Sequence, residues 1–569
     1  MYHPADETMT IDERPGVPCL VLGPMLRWVD DTHATVWVET SRPCTVEVLG
    51  HCASTFTIGT RCYALVVVSG LEPGSTTPYE VHLDTHRVWP DPELNLPDST
   101  IRTTGGSGPI RVLIGSCRAA APHVVPYTRD LAFNAEGRGV DSLWAHARRM
   151  MQEDPAVWPS LVVFAGDQIY SDDSSPKARE RIKQRRADQP TDLEETMVCD
   201  FEEYSWLYHE AWSSRSERWL LSTVPSAMIF DDHDMVDDWN ISESWITDME
   251  DVPTWEERAT FGYMSYWVYQ HLGNLSPSQI EEDGMLDQLL AVENGTDILR
   301  AWAERCFASS GSAEGHQFSH IRQVDDVTVI TIDCRSGRVL DDGERLMVQP
   351  SEWERVKEAA HDAPGHIIFV TSVPVFLTNG IHDLHTWNTE VCEGAWGALG
   401  RRLGEGVRRY LDLEDWPAFP VSLAAFVEHL SDLRASSEPP RSILVVSGDI
   451  HFSYAARVPE FSTPSGPDVW QIVSSPIRNA LIPHERSAMR FATTRAGGVV
   501  GSALRRSARG SDTRANPEVV AGPYFANNMV QLNYNYNDDN DCIEVIFEQS
   551  TSIDDGDDPD LTEVGRLTI

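Results

Sequence analysis

Lysine is nearly absent. Three occur (Lys177, Lys183, Lys357), and the remaining 42 of the 45 basic residues are Arg. Against 88 acidic residues these leave a net charge of −43, which disfavours nucleic acid as a partner because its phosphates would be repelled. No uninterrupted apolar run approaches the ~18 residues that a membrane helix needs, so no membrane span is expected. Met1–Glu7 carries neither a basic n-region nor an apolar stretch, and no twin-Arg pair follows, so a cytoplasmic location is expected. The 10 Cys include no CxxC pair. In a chain this long that predicts reduced thiols rather than a disulfide framework. There is no internal repeat and no HExxH.

What is present is apolar and aromatic enough to fold: 41% hydrophobic residues and 18 Trp. At 569 residues the chain exceeds one ordinary core, so two or more domains are expected. Residues 18–104 read as short β-rich runs separated by turn residues, such as Ala34–Val38 and Tyr63–Val68. Gly70-Leu71-Glu72-Pro73-Gly74 followed by Tyr79–Leu83 has the turn-and-strand pattern of a fibronectin III-like β-sandwich. This stretch carries no functional signal, and Val88–Pro97 reads as a linker. Residues 109–550 alternate strand and helix signals, an α/β layer architecture. Helical insertions are expected at about 241–310 and 376–415, and Asp554–Asp560 reads as a solvated acidic tail.

Polar residues follow the apolar runs directly, where α/β folds place their ligand sites. Ile110–Gly115 leads to Ser116-Cys117-Arg118, and Leu161–Ala165 to Gly166-Asp167-Gln168-Ile169-Tyr170. Ser226–Phe230 leads to Asp231-Asp232-His233-Asp234 with Asp237 and Asp238, and Ser442–Val446 to Gly448-Asp449-Ile450-His451. So many carboxylates together repel one another unless water or a cation offsets the charge. Read alone, the Asp231–Asp238 stretch is either a solvated acidic loop or a site.

In combination, Gly115-Ser116-Cys117, Gly166-Asp167-x-x-Tyr170, Asp231-Asp232-His233-Asp234 and Gly448-Asp449-x-His451 resemble the motif set of PhoD-like alkaline phosphatases. These belong to the calcineurin-like metallophosphoesterase superfamily. The resemblance covers about residues 109–550 and implies an α+β sandwich core of two packed β-sheets flanked by helices. It implies a metal-dependent phosphoesterase that cleaves phosphate mono- or diesters by in-line attack of a metal-bound hydroxide. Asp167 matches the bridging carboxylate, with Cys117, Tyr170 and His451 on the first metal and Asp232 and Asp449 on the second; Asp237 is a further candidate ligand. Thiolate and phenolate suit iron, and an all-oxygen shell suits calcium, so Fe3+ and Ca2+ are expected, with Mn2+, Mg2+ or Zn2+ as alternatives. His233 would stabilise the transition state or protonate the leaving oxygen. Arg118 would either clamp a phosphate oxygen or pair with a nearby Asp, and Asp333 and Arg335 are expected to pair with each other. Asp172 and Asp173 read as outer partners or solvated residues, with solvation favoured. Trp239, Trp245, Trp255, Trp267, Trp387 and Trp396 are either core or a stacking platform. Where the superfamily has a metal-binding His, this chain has Thr371-Ser372-Val373-Pro374. The rival reading is a non-catalytic metal-binding protein of the same fold that docks a partner. A zinc hydrolase of carbon esters is disfavoured, because the ligand set lacks a His-rich shell.

Overall fold

The computed structural model describes residues 16–91, 96–106, 108–187, 196–341, 343–462, 466–537, 540–551 and 558–569. Most of the expected acidic tail, and the middle of the expected linker, lie outside these.

The centre of the molecule is built from strands β1 (Ile110–Gly115), β2 (Leu161–Ala165), β3 (Ser226–Ile229), β4 (His320–Val324), β5 (Val327–Ile332), β6 (His366–Thr371), β7 (Ser442–Ser447), β8 (Ser453–Arg457), β9 (Val469–Val473), β10 (Glu518–Tyr524), β11 (Asn528–Asn537), β12 (Asn540–Ser550) and β13 (Leu561–Thr568). Six form one sheet in the order β3-β2-β1-β11-β12-β13, and seven form a second in the order β4-β5-β6-β7-β9-β8-β10. β1, β2 and β3 run parallel, as do β5, β6, β7 and β9. The parallel strands are apolar on both faces because each sheet is covered twice. Val112, Ile114, Val163 and Ala165 meet Ile368, Val370, Leu444 and Val446 between the sheets. The alternate residues Leu113, Val162 and Phe164 pack outward, as do Ile330, Phe369 and Val445 from the second sheet. This is the expected two-sheet sandwich with flanking helices. The 10 cysteines are all free.

Helices used below are α1 (Ser142–Met150), α2 (Phe201–Trp212), α3 (Arg215–Thr223), α4 (Trp255–Tyr266), α5 (Asn379–Glu393), α6 (Gly397–Tyr410), α7 (Pro483–Ala492) and α8 (Arg495–Ser507). Side chains cap several of them: Asp141 accepts from the Leu143 and Trp144 amides at α1, and Ser214 from Glu217 N at α3. Five of the six Trp weighed above are buried, at 8% exposure or less; only Trp396 stands half out, at 43%.

The N-terminal region forms two four-stranded antiparallel sheets, Leu20–Val29 with His33–Thr40, Arg61–Ser69 and Phe56–Ile58, and His51–Ser54 with Thr45–Val48, Val81–Leu83 and His86–Trp89. It does not stand apart as a spacer. Its core residues Trp37, Tyr63 and Val66 belong to the same apolar cluster as Leu207, Trp212 and Tyr269. Arg27, fully buried, donates to Tyr269 O (2.9 Å), Gln270 O (2.7 Å) and Asn274 Oδ1 (3.2 Å). The buried carboxylate of Glu39 accepts from Tyr269 Oη (3.1 Å), His209 Nε2 (2.8 Å) and Arg61 Nη1 (3.2 Å). A buried charge is tolerated only when paired and hydrogen-bonded, and apart from Arg61 the partners named for these two come from residues 209–274.

Candidate metal centre

The four motif segments converge at the C-terminal ends of β1, β2, β3 and β7. Their backbones turn sharply there: Cys117 (φ 54°), Asp449 (φ 63°) and His451 (φ 53°) all occupy the left-handed region, a costly conformation for residues with a Cβ and one that clusters at functional sites. Gly448 lets the two sheets close. A Cβ there would lie 2.2 Å from Ser116 Oγ, the atom that accepts from Asp449 N (3.3 Å) and donates to Ser474 O (3.1 Å).

Asp167 sits at the convergence, 1% exposed, and neither of its carboxylate oxygens has a hydrogen-bond partner. Burial, then the charges of Asp232 and Asp231, push its pKa well above the carboxylate range, and nearby His233 offsets this only in part. Oxygens of Asp167, Asp231 and Asp232 lie within 4.8 Å of one another, and so do ligand atoms of Asp232, His233 and Asp237. The Cys117 thiol is buried between Ser475 Oγ (3.3 Å) and Asp449 O (3.5 Å). Burial, then Asp167 and Asp449, raise its pKa. Tyr170 accepts from Asn479 Nδ2 (2.8 Å) through its hydroxyl, and its ring lies 4.4 Å from that of His233. Burial and then Asp167 push this phenol up as well, and burial lowers His451 to about 4. Asp449 is raised by burial, then by Asp231 and Asp232. Cys117, Asp167, Tyr170, Asp232, His233, Asp449 and His451 thus share one electrostatic cluster, with Asp237 on its solvent side.

His233 is held from behind. Its Nδ1 meets Asp172 Oδ1 at 2.9 Å and Oδ2 at 3.1 Å, and Asp172 Oδ2 also accepts from Asp237 N (2.6 Å). Burial works against the imidazolium, but Asp172 and then Asp232 outweigh it and hold its pKa well above the ordinary value. The sequence favours a solvated Asp172, but its carboxylate is 7% exposed because it faces His233 and the Asp237 amide. Asp173 is the solvated one, 61% exposed and paired with Arg179.

Two sequence expectations are corrected. Arg118 cannot clamp phosphate. It is buried, with Nε on Asp141 Oδ2 (2.9 Å), Nη2 on Glu217 and Nη1 on Ala211 O, so its charge is spent on two carboxylates; the ion-pair alternative holds. Arg335 does not pair with the Asp333 side chain in the expected way. Asp333 Oδ1 accepts from the backbone amides of Arg335 (2.9 Å) and Ser336 (3.0 Å). The Arg335 guanidinium, fully buried, reaches across to Asp231 and Glu414, with Asp232 Oδ1 at 3.5 Å. It therefore supports the acidic strand end that opens the Asp231–Asp238 stretch.

Further members come from sequence far away. Glu414, 1% exposed, binds both Arg335 and Arg338 (2.9 Å). Asp238 and Asp412 form an outer acidic layer with Asp237; burial, then Glu414, lifts Asp238 to about 9, and burial, then Asp237, lifts Asp412 to about 8. Ser372, within the Thr371–Pro374 stretch, is buried with its hydroxyl unpartnered. His366 sits at the opposite end of β6, with Nδ1 2.8 Å from Ser442 Oγ.

Comparison with known proteins fits this geometry. Residues 136–283 match the family model of PhoD-like phosphatases, which spans Asp167, Tyr170, Asp172, Asp232, His233 and Asp237. Residues 17–101 match a domain described only as a domain of unknown function (DUF7800). Among curated proteins nothing matches. Among solved structures 13 chains match. One, titled "Structure of PhoD", has a TM-score of 0.57 at 10% identity, over 98% of this chain and 91% of that chain. That likeness is one of fold. With the family match it bears out the resemblance read from the four motifs.

Proposed function

We propose that this chain is a metal-dependent phosphoesterase that hydrolyses phosphate mono- or diesters. The observation that carries the reading is Asp167: a carboxylate with both oxygens buried and unpartnered, among further acids, is costly without a cation. The donor set fits two. Cys117, Tyr170 and His451 would hold one with Asp167, and Asp232 and Asp449 the other, with Asp237 in reach. Sulfur, phenolate and imidazole donors favour iron at the first position, and the oxygen donors of the second favour calcium, with manganese, magnesium or zinc as alternatives. When bound, such cations neutralise phosphoryl oxygens and acidify a coordinated water.

The protein side chains supply the rest. Asp172 fixes the direction of His233 through Nδ1 and favours its imidazolium form, which leaves Nε2–H to face the substrate. From there His233 stabilises charge on a phosphoryl oxygen and delivers a proton to the departing oxygen. Arg335 and Glu414 keep Asp231 in place, so that Asp232 presents its carboxylate to the cluster. A non-catalytic metal-binding protein would have no use for a positioned His233–Asp172 pair.

The test is elemental analysis of protein purified without added metal, alongside turnover of p-nitrophenyl phosphate and bis-p-nitrophenyl phosphate. His233→Ala is expected to retain metal and lose turnover, and Asp167→Asn to lose both. Two bound metals with no metal-dependent turnover on either ester would defeat the enzyme reading.

A further inference from the structure

Among the described residues, Phe133 and Val421 apart, the apolar side chains more than half exposed lie on a few elements. On α6, Leu399 is 83% exposed, Leu403 58% and Tyr410 84%. At 3.6 residues per turn these three fall within about 40° of one another, a stripe along the outer face of the helix. Exposed Arg402 runs beside it, whereas Arg409 is tied to Asp248 (2.7 Å) and Glu405 (3.0 Å). The opposite face is fixed: Gly400 and Gly404 are buried, and a Cβ on Gly404 would meet Cys392 Sγ of α5 at 2.9 Å. On α8, Val499 and Val500 are 71% and 49% exposed, between exposed Arg495 and Arg506, and Phe491 ends α7 at 51%. The two helices adjoin through shared neighbours: Trp396, which precedes α6, donates through Nε1 to Ser507 O at the end of α8 (3.2 Å), and Val407 and Leu504 pack on one apolar cluster. Val519 of β10 shares a hollow with Val499.

Several arginines here are spent on carboxylates: Arg408 and Arg409 on Glu405, Arg409 also on Asp248, Arg505 and Arg514 on Asp383 and Asp512, and Arg486 on Asp130. Arg401, Arg402, Arg495, Arg506 and Arg509 are exposed and stand outside these pairs, in a chain of net charge −43. Basic residues flanking an exposed apolar stripe are the pattern of a helix that lies in a lipid interface. A second copy docked symmetrically would set this cationic face on its own image, and like charge would oppose it. A folded protein partner would need pockets for side chains that project as far as Leu399 and Tyr410; a bilayer takes them without preformed pockets, while arginines reach the phosphates beside them.

We propose that the face formed by α6 and α8 docks on an anionic lipid bilayer. α6 would lie along the surface, about 21 Å of helix.

The experiment is flotation of the full, metal-loaded chain with vesicles of phosphatidylcholine alone or with about 30 mol % phosphatidylglycerol. Binding is expected on the anionic vesicles at low salt, little on phosphatidylcholine, and a steep fall as salt screens the charge. Leu399→Asp with Leu403→Asp is expected to lower partition by about tenfold or more. Val499→Asp with Val500→Asp should lower it as well, with melting temperature and turnover of a soluble ester unchanged in both. No binding of the parent protein to anionic vesicles overturns the proposal, as does unaltered binding of the folded Leu399/Leu403 variant. Sedimentation in which that variant dissolves a dimer would give the face to a protein partner and overturn it too.

Discussion

Asp172→Asn is the sharpest probe of the His233 arrangement. The substitution preserves shape but exchanges one carboxylate oxygen for a donor. In the parent both oxygens accept, one from His233 Nδ1 at 2.9 Å and the other from Asp237 N at 2.6 Å. The amide can serve only one of them, and its charge is gone. A hydrogen bond to a charged group is worth about 1.5–3 kcal/mol, and loss of that much transition-state stabilisation is about 10- to 150-fold in kcat. The loss should depend on the leaving group. A p-nitrophenolate departs with little need of a proton, whereas an alkoxide needs one, so the defect should be near the low end for p-nitrophenyl phosphate and near the high end for an alkyl ester. Metal content should stay at the parent level, because Asp172 touches His233 and the Asp237 amide rather than the orphaned oxygens of Asp167. The assay is kcat on the two ester classes, with phosphate release for the alkyl ester, beside elemental analysis. An equal loss on both classes, or loss of metal, would refute the assignment of His233 as proton donor positioned by Asp172.

Arg335→Met strands the buried carboxylates of Asp231 and Glu414 and should cost about 3–5 kcal/mol, read by urea unfolding of the metal-loaded protein. Gly448→Ala forces a methyl group into Ser116 Oγ and should displace the Asp449 loop, lowering metal occupancy in elemental analysis. Glu202 tests the sandwich interface: burial raises its pKa, but Arg61, which donates at 2.5 Å and 3.1 Å, outweighs burial and holds it at about 2 against an ordinary 4.5. A depressed carboxylate stabilises the fold above its unfolded pKa and loses that contribution as pH falls through the folded value. The pair is partly exposed and screened by solvent, so Glu202→Gln should cost about 1 kcal/mol at pH 7, with the gap to the parent closing as pH falls from 4.5 towards 2, followed by denaturant titrations at several pH values. A constant gap across that window would refute the pairing.

The strand ends were legible because each motif is local: an apolar run announces a strand, and the polar residues that follow it announce its end. Asp167, Asp232 and His233 could be read this way. Asp172 could not, because its role depends on a histidine 61 positions later and an acid followed by another acid reads as solvated. Arg118 misled for the same reason. Adjacent to Cys117 in sequence, it turns away towards Asp141 and Glu217, from α1's cap and α3, which no pattern near Arg118 announces. Glu414 and Asp412 lie in what reads as the end of a helical insertion. The β-sandwich was legible as strands, but not as sharing one apolar core with residues 207–269, since strand periodicity says which face is buried and not what buries it.

The buried pairing of that sandwich bears on the order of synthesis. Glu39 and Tyr269 are separated by 230 residues. At roughly 5–20 residues per second the ribosome needs on the order of 10–50 s to supply the second after the first. Glu39 lacks its imidazole partner until His209 is made, and for the whole interval it lacks the Tyr269 hydroxyl, as Arg27 lacks the carbonyls of Tyr269 and Gln270. The sandwich is therefore expected to wait, incompletely closed, until the segment through Asn274 arrives, and the two halves to become stable together.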